Sequence, residues 1–132
     1  MLTHCMEDYV ETIYRLQVRK GYARVIDIAD HLNVTPPAVT RMLGKLARRN
    51  LIVYEKYRGI ALTSEGEAAG RFLLERHQLL NRLIEIIGLQ DAAELVVEGI
   101  EHYINRDNLE RIKKFLDLVE RHPEVFKEVK SE

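Results

Sequence analysis

Asn33-Val34-Thr35-Pro36 is a stop-and-restart signal that constrains the whole N-terminal half of the chain. Asn33 tolerates the left-handed conformation that ends a helix, Thr35 can cap the next one, and Pro36 fits a first helical position, where a missing N–H costs nothing. Before the signal, a short helix from about Val25 to Leu32 buries Ile28, Ala29 and Leu32. After it, Val39, Met42, Leu43 and Leu46 form the inner stripe of a second helix. That is a helix-turn-helix pattern. Ile52-Val53-Tyr54 and Ile60-Ala61-Leu62 then read as short strands around Lys56-Tyr57-Arg58-Gly59, a hairpin with a basic tip, so the pattern extends to a winged helix.

The outer face of the second helix of this pair carries Pro37, Thr40, Arg41, Gly44, Lys45 and Arg48. Pro36 and Pro37 lie at its start, suited to sugars or thymine methyls, and Thr35 before them is a further candidate for DNA contact. Thr40 and Arg41 are placed for base edges, and Lys45 and Arg48 for phosphates. Lys56 and Arg58 on the wing are candidates for backbone or minor-groove contacts. The net charge of −1 alone argues against nucleic acid, but its distribution argues the other way. Between Arg41 and Arg58 six bases face one acid, Glu55, whereas between Glu85 and Glu110 seven acids face Arg106 alone. A basic lobe followed by an acidic one suits phosphate at the first and cations at the second.

The acidic lobe contains Glu98-Gly99-Ile100-Glu101-His102. On one continuous helix, about Asp91 to Ile104, residues 98, 101 and 102 share a face and present two carboxylates beside an imidazole. A second acidic pair, Asp8 and Glu11, sits on a first helix from about Met6 to Gln17, and His77 falls between the clusters in sequence. Together they can furnish a two-metal pocket. Oxygen ligands with a minority of imidazole suit Mn²⁺ and Fe²⁺ better than Zn²⁺ or Cu⁺. Cys5, the single cysteine, excludes an internal disulfide and reads as a free thiol near the terminus.

Ser64 and Glu67 read as a capping box opening a long helix that Gly88 closes after Ile87. Its apolar residues form two stripes, Leu73, Leu80, Ile84 and Ile87 on one side and Phe72, Leu79, Leu83 and Ile86 on the other. Two stripes suggest cover by the chain itself and by a second copy, hence a homodimer. A last helix runs from about Asp107 to Arg121, and nothing after Glu124 reads as structurally committed. With 132 residues and 46% hydrophobic content the chain can bury one core or two small lobes. No run reaches the ~18 apolar residues of a membrane span, and no signal peptide is recognisable, so the expectation is a cytoplasmic protein without membrane contact.

The order of acidic pair, winged helix, histidine on a long helix and Glu-x-x-Glu-His resembles the manganese transport regulators of the diphtheria toxin repressor family. Met6-Glu7-Asp8-Tyr9 with Glu11, Gly21-Tyr22-Ala23-Arg24-Val25, Tyr54-Glu55-Lys56-Tyr57-Arg58-Gly59 and Val97-Glu98-Gly99-Ile100-Glu101-His102 carry the resemblance. It implies a binuclear Mn²⁺ site made by Asp8, Glu11, His77, Glu98, Glu101 and His102. The expected fold is mainly α, with an N-terminal winged helix-turn-helix bearing a small β-hairpin wing (residues 1–63) followed by a helical metal-binding and dimerisation domain (64–132). The expected function is a manganese-responsive repressor of manganese uptake genes that binds double-stranded operator DNA and takes no small organic substrate. A di-metal carboxylate enzyme is the rival from another class. It leaves the winged helix unexplained and lacks the repeated Glu-x-x-His of paired helices.

Overall fold

The computed structural model describes residues 2–55, 57–89 and 93–130, and its contacts divide the chain into two compact units, Met1–Leu74 and Glu75–Glu132. The first unit is the expected winged helix. Helix α1 (His4–Lys20) starts on Thr3, whose hydroxyl oxygen accepts the Met6 N–H at 3.1 Å, and ends at Gly21, left-handed with φ 85°. It is longer at both ends than its apolar repeat predicts, because caps rather than buried residues set the limits. Helix α2 (Val25–Leu32) stops at Asn33, left-handed with φ 55°, and α3 (Pro36–Arg48) starts on Thr35, whose oxygen accepts the Ala38 N–H at 3.4 Å. Strands β1 (Ile52–Glu55) and β2 (Gly59–Leu62) pair antiparallel with Ile52 opposite Leu62 and Glu55 opposite Gly59.

Tyr9, Val10, Ile13 and Leu16 of α1 pack with Ile28, Ala29, Val39, Leu43 and Leu46, and with Ile52, Ile60 and Leu62 at the base of the hairpin. Burying each large apolar side chain contributes about 1.5–3 kcal/mol, so the wing is rooted in the same core that orients α3. Ala23 fixes the root further. Its N–H donates to the Ile60 carbonyl at 3.1 Å and its carbonyl accepts the Ile60 N–H at 2.8 Å. A Cβ at Gly59 would lie 2.6 Å from the Ala23 carbonyl oxygen, and φ there is 112°, so only glycine serves.

Helix α4 (Ser64–Ile87) runs through the boundary between the units, which falls after Leu74. Its cap corrects the reading above. Thr63, not Ser64, caps the helix, its oxygen accepting the Gly66 N–H at 3.0 Å while its hydroxyl donates to the Asn50 carbonyl at 2.7 Å. Glu67 does not reach back to the cap; it accepts the Gln17 amide at 3.0 Å, and the other end of Gln17 accepts the Leu62 N–H at 2.9 Å. Within this unit α1 and α4 touch so closely that a Cβ at Gly70 would lie 2.6 Å from the Tyr14 Cβ.

The second unit comprises the rest of α4, α5 (Ala93–Ile100), a 3-10 turn (Glu101–Tyr103), α6 (Arg106–Arg121) and α7 (Pro123–Lys130). Leu80, Ile84 and Val97 form its core, with Leu83, Val96, Ile104 and Ile112 against them. The first apolar stripe of α4 is buried except at Ile87, which is 43% exposed. Two expectations fail here. The continuous helix to Ile104 is broken after Ile100, and the segment after Glu124 is helical, with Phe126 edge-on to Phe115 at 5.7 Å between ring centres. No helix among the described residues is long and apolar enough to cross a membrane.

Candidate metal centre and nucleic-acid interface

The second unit holds four of the six expected ligands. His77 stands on α4, half-buried, and its Nδ1 lies 2.9 Å from Oε2 of Glu101. Glu101 is 5% exposed, Glu98 is exposed on α5, and His102 is half-buried beside Glu101. Glu98, Glu101 and His102 therefore do not share one face of a continuous helix. Gly99, a poor helix former, precedes the change to a 3-10 turn, where successive residues are about 120° apart instead of 100°. Glu101 is thereby directed inward, away from the exposure of Glu98.

A buried carboxylate is costly unless compensated. Burial pushes the Glu101 carboxyl up, but the His77 hydrogen bond and the charges of His77, Arg76 and His102 outweigh it and hold the group below the usual carboxylate range. Glu101 thus remains an anion in a dry setting, the state a cation ligand requires. Arg76 is a contributor that sequence reasoning missed. It is 2% exposed, and its Nη1 donates to the Ile104 carbonyl at 3.2 Å, tying the end of the turn that carries Glu101 and His102 to α4. Its position, three residues after Leu73 and four before Leu80, lay on the buried stripe and was the available signal.

In the first unit Asp8 and Glu11 lie one turn apart on α1. Asp8 is exposed, with its backbone carbonyl accepting the Thr12 hydroxyl at 2.8 Å. Glu11 is half-buried and pairs with Arg15 at 2.9 Å. The donors of the second unit, carboxylate oxygen with imidazole nitrogen, fit a hard or borderline divalent cation, and Asp8 and Glu11 are carboxylates of the same kind. Cys5 is an exposed free thiol.

The outer face of α3 is open to solvent at Thr35, Pro36, Pro37, Thr40, Arg41, Lys45 and Arg48. Thr40 donates its hydroxyl to the Pro36 carbonyl at 3.2 Å, leaving the oxygen and the methyl group as its outward features. Arg58 on the wing is exposed and only loosely paired with Glu55 at 3.9 Å. Lys56 lies outside the described residues.

Residues 1–60 match the N-terminal DNA binding domain of the iron dependent repressors, and residues 63–128 match the metal binding and dimerisation domain of the same family. The chain is 47% identical to the HTH-type transcriptional regulator MntR of Listeria monocytogenes (serotype 4a, strain HCC23) over 133 residues, covering 99% of this chain and 93% of that protein. It is 42% identical to the regulator of the same name from Lysinibacillus sphaericus (strain C3-41), over 99% of this chain and 95% of the relative. Among solved structures it resembles the manganese regulator SloR, with a TM-score of 0.74 and 31% identity over 85% of this chain and 53% of that one. ScaR with bound Zn²⁺ aligns with a TM-score of 0.71 at 31% identity, over the same shares of the two chains. The chain thus spans about half the length of these solved relatives.

Proposed function

Because the chain belongs to the iron dependent repressor family, the diphtheria toxin repressor group that its motifs resemble, we propose that it is a manganese-responsive transcriptional repressor acting in the cytoplasm as a homodimer. It is a DNA-binding regulator that uses a divalent metal, not an enzyme. The observation that carries the reading is the anionic, buried Glu101 held by His77 in the same chain as a winged helix with an open basic face. The names of the solved relatives SloR, a manganese regulator, and ScaR, a manganese-activated repressor, support manganese as the physiological ion. So does the donor set, which offers oxygen and imidazole without sulfur.

In this reading Asp8, Glu11, His77, Glu98, Glu101 and His102 hold two Mn²⁺ ions per subunit. Bound there, the cations supply positive charge on which carboxylates from separate helices can converge. Residues 1–63 read DNA, and residues 64–132 bind metal and dimerise. Asp8 and Glu11 commit α1, and with it the core under α3, to the metal site. His77, Glu98, Glu101 and His102 commit the dimer frame. Without metal these carboxylates repel one another, and the reading heads sample positions that do not match two half-sites. The ion acts only through its higher affinity for the state in which the ligands converge. The regulated genes would be those of manganese uptake.

The test is fluorescence anisotropy with a labelled duplex selected in vitro by the wild-type protein in Mn²⁺. The duplex should be palindromic with half-sites about one helical turn or a multiple apart. Affinity should fall about 100-fold in chelator; equal affinity in chelator and in Mn²⁺ would end the co-repressor reading. Arg41→Ala should weaken binding by about 1–3 kcal/mol and relax base preference, whereas Arg58→Ala should weaken all sequences alike and reduce the salt slope by about one. An Arg41→Ala variant with unaltered affinity and preference would show that α3 is not the reading helix.

A further inference from the structure

Tyr57 sits where a tyrosine should not be. The Arg58 N–H donates to the Glu55 carbonyl at 3.2 Å, closing a tight turn at the wing tip, and within it Tyr57 has φ 70°. The left-handed region favours glycine or asparagine and penalises a side chain with a bulky Cβ substituent. Nor is the ring placed there to fill the protein's own core, for Tyr57 is 88% exposed, more than any other large apolar or aromatic residue among those described. Backbone strain of this kind clusters at ligand-binding sites.

The surroundings give the partner's chemistry. Tyr57, Arg58 and Arg24 line a hollow of about 360 Å³. Arg24 is itself set in place over the Tyr22 ring, 5.0 Å from its centre. An exposed aromatic ring that shares a hollow with two arginines matches a strand of duplex DNA, with phosphates for the arginines and a flat sugar edge for the ring. Glu55 is the one acid on the hollow, and it faces Arg58. The root of the wing is fixed in the core, so the tip is presented rigidly rather than on a free loop.

We propose that Tyr57 is a contact to the DNA backbone. Its ring lies against a deoxyribose at the groove edge, and its hydroxyl donates to a phosphate oxygen. The αL strain is retained because glycine, though better for the turn, offers no such surface. This inference rests on the DNA-binding reading above, and it adds a neutral, sequence-independent contact to the charged ones.

The experiment compares wild type, Tyr57→Gly, Tyr57→Phe and Arg58→Ala as full chains in Mn²⁺. The readouts are thermal unfolding and anisotropy on the selected duplex and on a scrambled duplex of equal length. Tyr57→Gly should raise the unfolding midpoint by about 3 °C by relieving the backbone. It should also weaken both duplexes about 10-fold without changing the salt slope, since a neutral phenol displaces no counterion. Tyr57→Phe should keep the midpoint and lose about 3-fold in affinity. A lower midpoint for Tyr57→Gly would mean that the ring supports the fold, and unchanged affinity would mean that it touches no DNA; either overturns the proposal. A wild type that binds no duplex in Mn²⁺ overturns the DNA-binding reading and this contact together. A wild type that binds, with Tyr57→Gly equal to it, removes the contact alone.

Discussion

Replacing His77 with alanine is expected to reduce operator affinity in saturating Mn²⁺ to the level of the metal-free protein, a loss of about 100-fold. His77 is half-buried with its Nδ1 2.9 Å from Glu101, so the substitution removes one proposed ligand and a hydrogen bond that helps to keep a second proposed ligand anionic. Loss of a ligand's supporting partner alone typically costs 10–100-fold in metal affinity, and here a ligand goes with it. The response to every divalent metal should fall together, because no ion can recover both. The metal-free protein supplies a second readout. Glu101 is held below the usual carboxylate range, so it contributes stability at pH values above that range, and the contribution is lost as pH falls through the lowered value. In His77→Ala the hydrogen bond is gone while burial remains, so the carboxyl moves up and acid unfolding starts at higher pH. Thermal unfolding of the apo protein across the acid range measures this. An unshifted acid limb together with an intact Mn²⁺ response would show that the pair is incidental.

The winged helix was legible because each of its parts rests on a local rule. Asn33 and Thr35 bracket the turn through their own backbone and side-chain preferences, and both take those roles. Ile60 and Leu62 are buried in alternation with the half-buried Gly59 and Ala61, and Ile52 is buried at the base of β1, as strands rooted in a core require. Elsewhere long-range contacts decided between local options. Thr63 and Ser64 are adjacent hydroxyls of similar capping strength, and the Asn50 carbonyl, a distant partner in sequence, selects Thr63. Helix α7 owes its place partly to Phe126 meeting Phe115, which no nearby residue announces.

The candidate ligands were legible for a different reason, since five of them lie in two short motifs of residue types that favour cations. Their geometry was not. A helical wheel assumes 100° per residue throughout, and the 3-10 turn after Ile100 breaks that assumption where Glu101 and His102 stand. Arg76 escaped because an arginine on an apolar stripe reads as a residue whose head reaches solvent. Its burial makes sense only beside Glu101 and the Ile104 carbonyl.

The central claim of the proposed function is that metal and operator favour one shared conformational state. Coupling of this kind is reciprocal, so the factor by which Mn²⁺ tightens DNA must equal the factor by which DNA tightens Mn²⁺. The direct measurement is a Mn²⁺ titration of the wild-type protein, followed by the electron paramagnetic resonance signal of the free ion, with and without saturating selected duplex. The account predicts that the duplex raises Mn²⁺ affinity about 100-fold, matching the operator titration. A Mn²⁺ affinity that is the same with and without the duplex would contradict it.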